Sequence, residues 1–171
     1  GIDAVAKSKP DGYTLAGVGV PIAFNTALGK KLPYDPVKDL SPIAEVVTQP
    51  LLVVSHPSVP VGSFKELIDW ARKQPSPLAY TSGGSGSYGH LWFEMVAAQQ
   101  RIAAQHVGYS GVAPALRDVI GGQVPVLVDA IVPTGVQVKA GKVKGLAIVR
   151  NKRSPMLPDV PTLQEMGITM P

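Results

Sequence analysis

The 171-residue chain contains no cysteine. That excludes disulfides, Cys-ligated zinc and thiol catalysis, and it fits a reducing or an oxidising compartment equally well. Aromatics are sparse, with three Phe, two Trp and five Tyr. None of them interleaves with a basic stripe, as a nucleic-acid surface would require. Charge is also thin, 16 basic against 12 acidic residues, for a net +4. The cations gather at loops and helix ends such as Lys30-Lys31 and Arg150–Arg153, so they read as a solvated surface and not as a nucleic-acid site. No run of about 18 apolar residues spans a bilayer. There is no H-E-x-x-H, no G-x-S-x-G nucleophile elbow and no Gly-Lys-Ser/Thr phosphate loop. His56, His90 and His106 stand at no metal-ligand spacing. Neither a metal nor a catalytic constellation is expected.

What is abundant is glycine, 18, and proline, 17, set in a chain that is 45% hydrophobic. Scattered singly, they predict a globular α/β chain of short elements joined by tight turns. Ile2 to Lys7 reads as the end of a helix already under way, so an upstream segment is expected. Tyr13 to Val20 reads as a buried strand and Ile22 to Leu28 as a short helix. Ala44 to Pro57 reads as one long strand that Pro50 bends. Ser63–Glu66 is a capping box, and Phe64, Leu67, Ile68 and Ala71 form one apolar helical face. From Leu78 the pattern alternates: strand Leu78–Thr81, helix Leu91–Gln100, strand Ala104–Tyr109, helix Ala113–Ile120, strand Val124–Val132, helix Thr134–Ala140, strand Lys144–Val149. Thr162–Glu165 repeats the capping box before a short helix that Gly167 ends. This β-α alternation predicts a largely parallel sheet. Ligands then sit at the loops leaving the strand carboxyl ends.

Three such loops follow. Ser82 to His90 carries Gly84, Gly86 and Gly89 as G-x-G-x-x-G, with Ser85 and Ser87 between them. Backbone amides and a helix N-terminus there suit a carboxylate or a phosphate. A dinucleotide needs an acidic residue about 20 positions on, and "AAQHVGYSGVAP" has none. The bare alternative is a tight strand–helix turn. Tyr109, Ser110 and Gly111 precede the next helix in the same style. Asp129 ends the apolar strand "VPVLVDAIV". It either accepts from a ligand amine or hydroxyl, or caps the local turn. His90 opens a helix beside the glycine loop and is a contact candidate. His106 reads as a satisfied structural residue.

"KPDGYTL", "KKLPYDPVKDLSPI", "GSGSYGHL", "VGYSGVAPALRDVIGGQV", "KAGKVKGLAI" and "KRSPMLPDVPTLQEMG" together resemble the Bug/TctC family, the periplasmic solute receptors of tripartite tricarboxylate transporters. The resemblance runs over essentially the whole chain. It implies a two-lobed type II periplasmic binding protein (Venus-flytrap) fold, here with the second lobe largely complete and the first partial. Residues 1–49 would be part of the first lobe, 50–153 the second lobe, and 154–171 the start of the return. It also implies a non-catalytic receptor without cofactor. Such a receptor works in the periplasm, grips a small carboxylate and serves the transporter's membrane components. By motif, Ser85, Gly86, Ser87 and His90 fall in one second-lobe loop, Tyr109, Ser110 and Gly111 in its neighbour, and Asp129 in the same cleft. Gly19 and Asn25 would contribute from the first lobe. Family members are longer, so a fragment with weakened or absent solute binding is expected. The alternative is a second-lobe module that self-associates through exposed strands and binds no solute.

Overall fold

The computed structural model describes residues 1–19, 21–27 and 29–168, with the side chains of Pro21, Asn25 and Ala27 left out. The chain divides into two compact units, Gly1–Thr48 and Gln49–Pro171.

The first unit holds two short helices, α1 (Ile2–Ala6) and α2 (Pro21–Ala27). The stretch "YDPVKDL" folds on itself. The Asp35 carboxylate accepts the Val37 and Lys38 amides at 2.9 and 3.1 Å, and the Asp35 amide donates to Asp39 at 2.7 Å. The Val37 and Lys38 amides hold the Asp35 carboxyl below its usual value. The strand expected over Tyr13 to Val20 does not form in residues 13–19, and Val20 lies outside the described residues. Strand propensity is there, but a strand needs a ladder partner, and no strand occurs among the described residues of this unit. Tyr13 is 93% exposed and Val46 94%.

The second unit carries a five-stranded sheet in the order β3-β2-β4-β1-β5. The strands are β1 (Leu51–Ser55), β2 (Leu78–Thr81), β3 (Ala104–Val107), β4 (Val126–Ala130) and β5 (Lys144–Val149). The β2–β3 and β2–β4 pairings are parallel, while β1 runs antiparallel to both β4 and β5. Four strands therefore share one direction, and β1 opposes them from inside the sheet. The long strand expected over Ala44 to Pro57 shrinks to β1, because Pro50 has no amide to extend the ladder. All five residues of β1 are buried, as expected for a central strand covered on both faces.

Alternation along β1 separates two cores. Leu51 and Val53 face a cluster with Phe64, Leu67 and Ile68 of α3 (Phe64–Arg72) and Trp92, Phe93 and Val96 of α4 (Tyr88–Gln100). Leu52 and Val54 face Ala115, Leu116 and Val119 of α5 (Val112–Ile120) and Ile131 of α6 (Ile131–Lys139). The result is a three-layer α/β/α unit. The predicted strand over Val124–Val132 is shorter than expected, and α6 starts at Ile131 instead of Thr134. Pro133 is tolerated there because a first-turn residue needs no intrahelical N–H bond.

Caps fix the helix starts. Ser63 accepts the Glu66 amide at 3.2 Å, while Glu66 reaches back to the Gly62 amide at 2.6 Å, one residue earlier than a standard box. At Thr162 and Glu165 the exchange is reciprocal, at 2.7 and 3.2 Å, but it starts only a single 3-10 turn, Gln164–Met166.

Candidate functional site

Strands β3, β2 and β4 lie side by side and point the same way. Their carboxyl ends therefore release three loops on one edge of the sheet. The first, residues 82–87, leads into α4, and the second, residues 108–111, into α5. The chain passes from Ala130 straight into α6.

Missing side chains let the loops close on one another. A Cβ on Gly83 would sit 2.7 Å from Asp129 Oδ2, one on Gly84 3.1 Å from the Tyr109 carbonyl oxygen, and one on Gly108 3.1 Å from Ser85 Oγ. Gly84 and Gly86 also hold φ of +132° and +77°, which side chains strongly disfavour. The glycines thus serve close approach as well as turning.

The glycine loop is internally bonded. Gly86 donates its amide to His90 Nδ1 at 2.9 Å. Ser87 caps α4 by accepting the His90 amide at 3.3 Å, and its Oγ lies 2.9 Å from Ser82 Oγ. Ser82 Oγ lies a further 2.9 Å from His106 Nε2. The His90 and His106 rings stack with centroids 3.9 Å apart. Below them Tyr80 donates its hydroxyl to Glu94 at 2.6 Å. Burial, then the Glu94 hydrogen bond, push the Tyr80 phenol far above its ordinary value. Burial and the adjacent His90 hold His106 below the usual imidazole range, with Glu94 opposing.

The candidates from the sequence separate accordingly. Ser85, Gly86, Ser87, His90, Tyr109, Ser110, Gly111 and Asp129 all belong to this edge. Ser85 and Ser110 are exposed at the loop tips. The Gly86 amide is committed to His90 and the Tyr109 hydroxyl to Asp118. That bond to Asp118, with burial, raises the Tyr109 phenol. Gly19 lies in the first unit, exposed, and its carbonyl accepts the Ile22 amide. Asn25 lies in α2, and its side chain is outside the described residues. Sequence reading gave no site role to His106, Glu94 or Gly83. The pairing of Tyr80 with His106 is what brings the two histidines together, and spacing along the chain carries no trace of it. Among the described residues no group of His, Asp and Glu is arranged to hold a metal ion.

Both α5 and α6 start without a side-chain cap. Their first-turn amides therefore face this edge without side-chain acceptors, the arrangement that favours an anion. No Lys or Arg occurs in residues 82–90, 108–113 or 129–134. The donors are amides and hydroxyls.

Asp129 is the acidic exception. Burial raises its carboxyl, while the Ala130 and Gly83 amides pull the other way. A raised folded value means that the ionised form weakens the fold. The stabilising contribution is present below the unfolded carboxylate range and is lost as pH rises through the folded value. Asp129→Asn is expected to stabilise the ligand-free chain at about pH 7 by about 1 kcal/mol and to change little near pH 4. Urea unfolding at the two pH values measures it, and a loss of stability at neutral pH would contradict the burial argument.

The sequence matches the profile of the tripartite tricarboxylate transporter family receptor, TctC, over residues 1–170. Protein BugT of Bordetella pertussis is 32% identical over 169 residues, covering 98% of this chain and 52% of BugT. Among solved structures, a Rhodopseudomonas palustris protein with adipate is 34% identical at a TM-score of 0.83, covering 98% of this chain and 56% of that one. MatC from Rhodopseudomonas palustris, with bound malate, is 31% identical at a TM-score of 0.80, covering 98% and 57%. The chain thus spans about half the length of the relatives it matches, and among its described residues no helix is long and apolar enough to cross a membrane. By its profile, its relatives and its shared periplasmic-binding-protein fold, the chain belongs to the TctC receptor family.

Proposed function

We propose that this chain is the carboxylate-gripping part of a periplasmic solute receptor. It is non-catalytic and hands its ligand to the membrane components of a tripartite tricarboxylate transporter. The observation that carries the reading is the edge where β3, β2 and β4 end. Three abutting loops there offer hydroxyls and two helix N-termini without side-chain caps, and no cationic side chain. Neutral donors of this kind hold a carboxylate by charge-assisted hydrogen bonds. Relatives solved with adipate and malate support a small dicarboxylate as the ligand class. On this reading residues 50–153 form the second lobe, 1–49 part of the first, and 154–171 the start of the return. Ser85, Ser87, Ser110 and Gly111 supply donors, Gly86 and His90 hold the loop, Tyr109 and Asp129 border the ligand, and Gly19 and Asn25 contribute from the first lobe.

Micromolar affinity takes about −8 kcal/mol. Four or five charge-assisted bonds at roughly 1.5–3 kcal/mol each reach that before ordering costs. Calorimetric titration against succinate, glutamate, citrate, an aromatic carboxylate and NAD tests the reading. Saturable heat is expected from at least one carboxylate and none from NAD. Ser87→Ala is expected to weaken that binding about tenfold and, as a lost N-cap, to cost about 1 kcal/mol of stability. Heat from NAD alone, or carboxylate heat untouched by the substitution, sinks the assignment.

A further inference from the structure

We propose that His106 acts as a positioning residue: through Ser82 it orients the hydroxyl of Ser87 to donate its hydrogen to the bound carboxylate. The proposal rests on the carboxylate reading above.

The argument is a count of hydrogens. Ser82 Oγ is wholly buried and lies 2.9 Å from His106 Nε2, 2.9 Å from Ser87 Oγ and 3.1 Å from the Gly84 carbonyl oxygen. A hydroxyl has one hydrogen and accepts through its lone pairs, and each close contact needs one hydrogen between its heavy atoms. With Nε2 bare, Ser82 must give its hydrogen to His106. Ser87 must then give its own to Ser82, and nothing is left for a ligand. With a hydrogen on Nε2, Ser82 accepts from His106 and is free to donate to Ser87. Ser87 already accepts the His90 amide, so its hydrogen turns outward. The donor chain then runs from His106 through Ser82 and Ser87 to the anion.

The neighbours decide which histidine controls the chain. His90 Nδ1 is filled by the Gly86 amide, so the His90 hydrogen resides on Nε2, 3.9 Å from Glu94. His90 is thereby locked as a holder of the loop. His106 faces the Tyr80 ring edge-on from β2 at 5.1 Å, and from α4 it faces the stacked His90, with Glu94 behind. Burial disfavours a charged His106. The choice at neutral pH is therefore between its two neutral tautomers, and an anion selects the form with hydrogen on Nε2.

The test is nitrogen NMR of the histidine-labelled 171-residue chain, titrated with malate, with sodium chloride at matched ionic strength as the control. Malate is expected to shift the Gly84–Gly89 amides and to leave His106 Nε2 resonating as an N–H nitrogen. His106→Gln keeps a donor at the same reach and should hold affinity within about twofold, whereas His106→Leu removes it and should weaken malate about tenfold. If the loop amides respond while Nε2 stays bare, or if the two variants weaken binding alike, the orienting role is wrong and the carboxylate reading survives. If malate moves no loop amide beyond the chloride control, the carboxylate reading falls and takes this proposal with it. The tautomer measurement uses the unsubstituted chain, so it stands even where His106→Leu does not fold.

Discussion

Gly89→Ala is expected to destabilise the protein by about 3 kcal/mol or more, the range of severe overpacking. Helix propensity alone argues the opposite sign, since alanine is favoured over glycine by about 1 kcal/mol in a helix interior. Gly89 occupies the second position of α4, and a Cβ there would sit 2.1 Å from the Val128 carbonyl oxygen and 3.0 Å from its carbon. Both obstacles are backbone, inside a β4 that pairs on both sides. No rotamer change relieves them. α4 would have to lift from the sheet, carrying Trp92, Phe93 and Val96 out of the core. The same shift drags Ser87 and the glycine loop, so ligand binding should fall with stability. Urea unfolding of the two proteins checks it, and a stabilised or neutral variant would mean that α4 does not rest on the β4 backbone.

The second large effect is expected at Phe93. Its ring is fully buried and lies 4.3 Å from the Tyr80 ring, between centroids, at an interplanar angle of 41°. Phe93→Ala removes a whole aromatic side chain from a dense core, with an expected loss of about 3–5 kcal/mol. The consequence for the site is indirect. Tyr80 keeps the hydroxyl that holds Glu94, but its ring loses the surface that fixes it beside His106. Denaturant unfolding should show the loss, and amide spectra should show the glycine loop disturbed although no loop residue has changed. A loss under about 1 kcal/mol would mean that the cavity collapses freely or that Phe93 is not packed as described.

Much of the second unit was legible from pattern alone. The alternation from Leu78 to Val149 works because each element writes its own period into the chain, 3.6 for Phe64–Ala71 and near-continuous apolar residues for the central strands. Ser63 and Thr162 announced their helix starts because capping is local chemistry. Tyr13 to Gly19 failed for the complementary reason. Its composition suits a strand, but a strand exists only when another backbone pairs with it, and composition does not supply the partner. The start of α6 was placed late because Ile131 and Val132 fit a strand as well as a helix, and only the end of β4 at Ala130 decides between them.

For the site, the chain alone determined the loop chemistry: glycines, hydroxyls and the absence of cations are composition, and composition is complete in the sequence. It also determined the family, through motifs spread over nearly all its length. Only the tertiary structure decided the direction of β1, the convergence of the three loops and the partnership of Ser82, His90 and His106. Those depend on strand order and register, which place Tyr80 beside His106 although 26 positions separate Thr81 from Val107. Contacts between residues so far apart come from the packing of apolar faces that many sequences share, so no local spacing encodes them.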